Sequence, residues 1–237
     1  MVTYHVISLF PESLDSYVNS SILKRAQERG IISIKYYNPR DFAMSAKFDP
    51  KAVVKMSYAE RRVDDRPYGG GPGMVMEALP VIRAIAKAVG KAQGEKRKAQ
   101  AKRTKIIFFS PSGKQFTNTV ADSFKKYTDI VLVCGRYEGI DARVKKAFPM
   151  TDLSIGEYVL TGGELPAMVV IDTITRRIPG VLGNDNSVEE RRVAGSDVYT
   201  RPPIIEYKGK KLRVPKILLT GHHEKIDEWK IKGKSAR

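Results

Sequence analysis

Apolar positions recur along the chain with two different periods, and these periods predict strands and helices. The apolar run YHVISLF (4–10) predicts a strand. Residues 11–30 predict one helix, because a proline stands at the start and a glycine at the end. A second strand is expected over ISIKYYN (32–38), and the polar residues 39–73 predict a long loop. A loop of that length in a compact domain is usually functional or partly disordered.

The pattern becomes more regular after this loop. A helix is predicted over MEALPVIRAIAKAV (76–89), where apolar residues recur at helical spacing. Strand-like runs follow at KIIFFS (105–110), DIVLVC (129–134) and LSIGEYVL (153–160), and helix-like stretches separate them. The last helix is expected over LPAMVVIDTITRRI (165–178). Strands that alternate with helices predict an α/β fold, with a mainly parallel sheet that helices cover on both faces.

Each of the last three predicted strands is followed by a loop that contains glycine. The loops are SPSG (110–113), CGRYEGID (134–141) and TGGELP (161–166). Ligands of open parallel sheets bind outside the carboxyl ends of the strands, so we expect these loops to border one pocket. Glycine lets a ligand approach backbone N–H and C=O groups closely, which suits an adenine edge or a ribose. Taken singly, each loop is also ordinary turn chemistry.

The charge balance indicates the class of partner. The chain has 42 Lys and Arg residues against 26 Asp and Glu residues, a net charge of +16. Such an excess favours a polyanionic partner, because basic side chains that neutralise phosphates release condensed counterions. The alternative is a basic protein whose lysines only keep it dispersed. Within this excess, the basic stretch 90–105 fits a solvated connection better than a dedicated RNA-binding arm.

The cysteine content and the apolar runs indicate the compartment. Cys134 is the only cysteine, so the chain forms no internal disulfide, which fits a reducing environment. No stretch is apolar enough to span a bilayer, and the amino terminus lacks the charged start and cleavage site of a signal peptide. We therefore expect a cytoplasmic protein without a membrane partner.

The glycine motifs and the His and Cys content exclude several kinds of nucleotide-binding, metal and catalytic site. GGGPGM (69–74) does not follow a predicted strand, and CGRYEGID has the wrong glycine spacing for a dinucleotide fingerprint or a phosphate-binding P-loop. Three histidines, His5, His222 and His223, together with one cysteine provide neither a plausible zinc set nor an obvious His-centred triad. Catalysis is therefore expected to depend on carboxylates, arginine and backbone groups.

Five segments taken together resemble the bacterial tRNA (guanine-N1)-methyltransferase family, TrmD, of the SPOUT class. The resemblance includes the order and spacing of the segments and extends from Tyr4 to about Trp229. The segments are RVDDRPYGGGPGM (62–74), LVCGRYEGID (132–141), SIGEYVLTGGELPAM (154–168), RRIPGVLGN (176–184) and YTRPP (199–203).

The resemblance implies an activity, a fold and an assembly. Members of the family transfer a methyl group from S-adenosylmethionine to N1 of guanine 37 in tRNA, the base next to the anticodon. They are homodimers with the active site at the subunit interface, and their main domain contains a deep trefoil knot. For this chain it implies a knotted catalytic domain (1–182), a flexible linker (183–196) and a small, shortened tRNA-binding domain (197–237). The implied partner is tRNA and not DNA.

The implied cofactor-binding residues lie in the same three glycine-containing loops. Glu138 is also implied as an oxygen ligand of Mg²⁺, with helix capping as its alternative role. Arg176 is implied to bind the substrate guanine and to stabilise charge that builds on its O6 atom. The implied cofactor-binding set is Pro111, Gly135, Glu138, Ser154, Ile155, Gly156, Glu157, Tyr158, Val159, Leu160, Gly162, Gly163 and Pro166.

The general base is where the sequence departs from the family. Ser187 keeps its register and is implied to contact the substrate, but Arg191 stands where the family has its catalytic aspartate. Glu190 is one residue away, and a short loop would bring it to the same place, so we assign it as the base. The remaining acids nearby are weaker substitutes, and any of them, Glu190 included, could instead only solvate a linker. These acids are Asp185, Glu189 and Asp197.

Two other functions stay open at this stage. A non-catalytic RNA-binding protein on the same scaffold would explain the arginine at position 191. A SPOUT methyltransferase with another RNA target is also possible in principle, although the GGGPGM and GELPAM segments disfavour it.

We expect the substitution Glu190→Gln to abolish methyl transfer and to leave cofactor affinity intact, because it removes the proton acceptor and keeps the side-chain shape. Turnover and calorimetric titration with S-adenosylmethionine would measure the two effects separately. Turnover close to that of the wild type would contradict the assignment.

Overall fold

Five parallel strands form the central sheet of the protein. The computed structural model describes residues 1–43, 61–92, 103–183 and 197–234. The strands of the sheet are β1 (Val2–Ile7), β2 (Ile32–Tyr37), β5 (Thr104–Gln115), β6 (Asp129–Val133) and β7 (Thr151–Ser154), and their order across the sheet is β2-β1-β6-β5-β7. A separate antiparallel pair is formed by β3 (Asp64–Asp65) and β4 (Val75–Met76).

Helices pack on both faces of this sheet, as the alternating pattern predicts. One hydrophobic cluster contains residues of α1, α2, α4 and α6, and the other contains residues of α3 and α5. These helices are α1 (Glu12–Val18), α2 (Ser21–Glu28), α3 (Ala78–Ala92), α4 (Asn118–Phe124), α5 (Arg143–Ala147) and α6 (Glu164–Thr175).

Strand β6 shows why the sheet needs helices on both sides. Its residues Ile130 and Leu132 pack into the first cluster, whereas Val131 and Val133 pack into the second, and all four are fully buried. Successive side chains of a strand point to opposite faces, so a continuous apolar run is stable only between two covering layers. The predicted α/β fold with a mainly parallel sheet is confirmed; the trefoil knot stays a prediction.

The chain divides into two compact units, Met1–Val181 and Leu182–Arg237. In the second unit, β8 (Ile204–Tyr207) and β9 (Lys210–Arg213) form an antiparallel hairpin, and α7 (His223–Lys234) follows. Both strands of the hairpin are exposed along their length. Of the helices in the described parts of the chain, none has the length and apolar content needed to cross a bilayer.

The predicted helix over residues 11–30 is interrupted in the structure. It forms the two helices α1 and α2, which Asn19 and Ser20 separate. Ser20 adopts an extended backbone, and its hydroxyl donates a hydrogen bond to the carbonyl of Tyr17 at 2.8 Å. Serine side chains that bond to nearby backbone groups compete with the helical hydrogen-bond pattern, so the helix ends here and a new one starts.

The predicted strand over residues 153–160 is too long. β7 ends at Ser154, where the hydroxyl accepts a hydrogen bond from the Gly156 N–H at 3.2 Å and donates one to the Gly156 carbonyl at 2.9 Å. This local turn replaces pairing with a neighbouring strand. The residues after Ser154 therefore form a loop.

Candidate active site

A cavity of about 470 Å³ lies at the carboxyl ends of β6 and β7 and beside residues 108–111 of β5. The loops that follow β6 and β7 form much of its wall, as the positions of their glycine-containing motifs predict. The predicted loop SPSG (110–113) is instead part of β5, at an irregularity in its pairing with β7 between Phe109 and Lys114. Twelve of the implied cofactor-binding residues line this cavity. They are Pro111, Gly135, Glu138, Ser154, Ile155, Gly156, Tyr158, Val159, Leu160, Gly162, Gly163 and Pro166.

The lining also differs from the expected set. Glu157 is exposed and is not one of the lining residues. Arg136 and Tyr137 line the cavity and were missed, although both lie inside the CGRYEGID motif that marked the loop. Lys145 and Phe108 were missed as well, and they meet only in the folded chain, with the Lys145 Nζ 4.2 Å from the centre of the Phe108 ring.

Gly163 explains why the third glycine-containing loop (161–166) needs a position without a side chain. Its N–H donates a hydrogen bond to the carbonyl of Gly135 at 2.9 Å, which joins this third loop to the second loop (134–141). A Cβ atom at position 163 would lie 2.5 Å from the Cα atom of Cys134. The obstructing atom belongs to the main chain and cannot rotate away, so only glycine permits this approach.

A buried carboxylate joins the same two loops to the end of β1. Glu164, the first residue of α6, is 3% exposed. Its Oε1 atom accepts a hydrogen bond from the Ser8 hydroxyl at 2.6 Å, and its Oε2 atom lies 2.9 Å from the Arg136 Nε atom. The Arg136 N–H and Oε2 do not meet in hydrogen-bond geometry, so this contact is an attraction between charges. The amino end of a helix further favours a negative charge.

Two other contacts hold the Arg136 side chain. The centre of its guanidinium lies 4.8 Å from the centre of the Phe10 ring, within the range of a cation–π interaction. Its Nη1 atom donates a hydrogen bond to the carbonyl of Thr161 at 3.4 Å. Together with Glu164, these contacts place the guanidinium between the second and third loops.

The glycine-rich segment before α3 packs against the second loop. The Glu138 N–H donates to the carbonyl of Met74, and the Met76 N–H donates to the carbonyl of Gly139, both at 3.0 Å. The Glu138 side chain covers Gly73, which has a φ of +85° and where a Cβ atom would lie 2.5 Å from the Glu138 Oε1 atom. The GGGPGM segment therefore supports the cavity wall through its contacts with the second loop.

Burial keeps the Cys134 thiol unreactive. Cys134 is 1% exposed, and this burial raises the pKa of its thiol well above the usual range, with the nearby Glu164 carboxylate adding to the effect. A protonated thiol is a poor nucleophile. Cys134 is therefore a packing residue behind the cavity, as its position in the apolar run predicts.

The structure does not bring all of the predicted catalytic residues to the cavity. Arg176 directly follows α6, whereas the cavity lies at the other end of that helix, around Gly163 and Pro166. Ser187 and Glu190 lie outside the described residues, as do most of the predicted linker and Arg191. No group of three or more His, Cys, Asp or Glu side chains that could hold a metal ion occurs within residues 1–43, 61–92, 103–183 and 197–234.

Comparison with known proteins identifies the family. The family model "tRNA (Guanine-1)-methyltransferase TrmD" matches residues 2–237. A tRNA (guanine-N(1)-)-methyltransferase of Thermomicrobium roseum is 43% identical over 96% of this chain and 76% of its own length, and that of Clostridioides difficile is 39% identical over 96% and 90%.

The crystal structure of the tRNA (m1G37) methyltransferase from Aquifex aeolicus superposes with a TM-score of 0.72 at 32% sequence identity. The match covers 98% of this chain and 89% of that one. The similarity thus extends over residues of both compact units. The chain belongs to the TrmD family of tRNA (guanine-1)-methyltransferases.

Proposed function

We propose that the protein transfers a methyl group from S-adenosylmethionine to N1 of guanine 37 in tRNA. The observation that carries the proposal is the cavity at the carboxyl ends of β6 and β7, whose lining contains twelve of the thirteen residues that the resemblance implies for cofactor binding. The relatives are tRNA (guanine-N1)-methyltransferases by name, and the net charge of +16 suits an RNA substrate.

The cavity has the size and lining that such a methyl donor needs. Its volume of about 470 Å³ is typical of sites for small organic ligands. Ile155, Leu160 and Pro166 offer apolar surface for an adenine ring, and the glycines offer backbone groups for its polar edge. A Cβ atom at Gly163 would meet the Cys134 backbone and displace this part of the wall. When bound here, S-adenosylmethionine supplies the methyl group.

The chain's own residues act on the guanine. During transfer the N1–methyl bond forms, the sulfur–methyl bond breaks, and the N1 proton leaves. Glu190 takes this proton, which makes N1 a better nucleophile. Arg176 directs its guanidinium at O6, where negative charge builds, and a preorganised donor of this kind stabilises the transition state by about 3 kcal/mol. Glu138, which lines the cavity, would hold Mg²⁺ through a carboxylate oxygen.

One chain cannot supply both halves of this site. The helix α6 separates Gly163 from Arg176, and its rise of about 1.5 Å per residue puts their backbones roughly 20 Å apart. The side chain of arginine is too short to cross that distance. We therefore assign Arg176 to the cavity of a second copy, in a homodimer with its active sites at the interface.

The surface of α6 supports this assembly. Leu165 and Val169 are 53% and 42% exposed, and their spacing places them on one face of the helix beside the cavity. The other face of α6 is already buried in the core through Pro166, Ala167, Val170, Ile171 and Ile174. An exposed apolar pair on the opposite face suits contact with another protein surface, and a second copy would cover it.

The proposed activity is tested by transfer of labelled methyl to tRNA that carries G or A at position 37, with and without Mg²⁺. We expect label on the G37 substrate alone, because A lacks the N1 proton and the O6 atom that the site handles. Equal labelling of both substrates would refute the target, and absence of label on either would favour a non-catalytic RNA-binding protein. The reactions with and without Mg²⁺ test the predicted metal requirement.

We expect Gly163→Ala to weaken binding of S-adenosylmethionine about tenfold or more, because overpacking against the Cys134 backbone costs on the order of 1–3 kcal/mol. Calorimetric titration measures the affinity. Gly90→Ala is the matched control, since a methyl group at that position in α3 meets nothing within 4 Å. Unchanged affinity in Gly163→Ala would contradict the placement of the ligand.

A mixed dimer tests the shared active site. A purified heterodimer of a Gly163→Ala chain and an Arg176→Ala chain would have one site with both defects and one with neither. We expect about half of the wild-type activity, because a two-fold dimer has two equivalent sites. The two parent homodimers serve as controls, and with S-adenosylmethionine held below its dissociation constant both should lose most of the activity. A heterodimer as inactive as its parents would show that each chain uses its own Arg176.

A further inference from the structure

The opposite charges of Arg136 and Glu164 meet at the cavity wall, but only Arg136 lines the cavity. Arg136 is one of the lining residues, and its side chain is 24% exposed. Glu164 lies behind it, with a side chain that is 4% exposed and does not line the cavity. A bound ligand would therefore touch the cation and would sense the anion only through its charge.

The uncharged groups around Glu164 hold its carboxylate in place but do not neutralise its charge. The Ser8 hydroxyl donates to Oε1 at 2.6 Å and also accepts a hydrogen bond from the Phe10 N–H at 2.9 Å, so its own orientation is determined. Glu164 lies at the amino end of α6, where the helix dipole attracts a negative charge. The only cation that the described residues place against this carboxylate is Arg136.

The methyl donor and its product differ in one charge. S-adenosylmethionine carries a positive sulfonium, and S-adenosylhomocysteine has a neutral thioether after the methyl group has left. An uncompensated guanidinium in the wall would repel the donor more than the product, and in a partly desolvated site this repulsion is significant. A wall in which the guanidinium is neutralised does not impose this penalty.

We propose that Glu164 determines the preference of the cavity for the cationic methyl donor over its neutral product, because it neutralises Arg136 in the cavity wall. This role rests on the proposed function, since it presupposes that the cavity binds S-adenosylmethionine. Glu164 is thus a positioning and charge-balancing residue that does not itself touch the ligand.

The test measures the dissociation constants of both ligands for charge variants of the pair. Glu164→Gln keeps the side-chain shape and removes the charge, so we expect the donor-to-product affinity ratio to fall roughly three- to tenfold. Arg136→Gln leaves Glu164 uncompensated, so the ratio should rise. The double variant should return toward the wild-type ratio. Glu12→Gln, an equal charge change on an exposed part of α1, serves as the control and should not alter the ratio.

The ratio separates this role from a merely structural one. A loss of affinity that is equal for the two ligands in Glu164→Gln would mean that the residue only supports the loops, and would overturn the proposal. Thermal melting identifies variants that fail to fold. Because removing one partner of a buried pair is destabilising, Arg136→Gln provides the second test if Glu164→Gln does not fold. An unchanged ratio in Arg136→Gln would then overturn the proposal.

The outcome also separates this inference from the proposed function. A wild-type protein that binds neither ligand would refute the function of the cavity and, with it, the role of Glu164. A wild-type protein that binds both ligands, with variants whose ratio does not change, would refute the role of Glu164 alone.

Discussion

The hydrogen bond from Gly163 to Gly135 is the contact on which the cavity depends. In the sheet, β6 and β7 lie on opposite sides of β5, so their loops must reach across the end of β5 to meet. The Gly163 N–H completes that connection at 2.9 Å, with the two backbones in direct contact. The two backbones meet at this point because neither glycine carries a side chain that would hold them apart.

The charge network is built on the same contact. Glu164 follows Gly163 directly, so the hydrogen bond that places the loop also brings the first turn of α6 beside Arg136 and Ser8. Three separate parts of the chain then share one carboxylate: the end of β1, the loop after β6 and the start of α6. A buried ion pair contributes little stability on balance, because its desolvation offsets its attraction. Its proposed value in this protein lies in the charge balance that it gives to the cavity wall.

The sheet and the position of the cavity could be predicted because they follow from local patterns. The apolar run of β6 is continuous, so it requires cover on both faces, and the glycine-containing loops after β6 and β7 gather where these parallel strands end. The SPSG segment was misread as a loop, because β5 continues through it to Gln115. The pair between Arg136 and Glu164 could not be predicted, because it depends on how two loops cross β5. The breaks at Ser20 and Ser154 were missed for another reason: a single serine hydroxyl decides each of them against the apolar pattern.

The placement of Arg176 links the fold to the assembly. A regular helix holds its two ends at a constant distance, so α6 keeps Arg176 away from the cavity of its own chain whatever the surrounding loops do. A two-fold axis across the helix would set the start of one α6 beside the end of the other, and the exposed Leu165 and Val169 lie on the surface where such copies would meet. Contact between the two copies would then bury this apolar surface and complete the active site. In this arrangement a monomer would bind the methyl donor but lack the arginine for catalysis, so dimer dissociation would abolish turnover before it abolished cofactor binding.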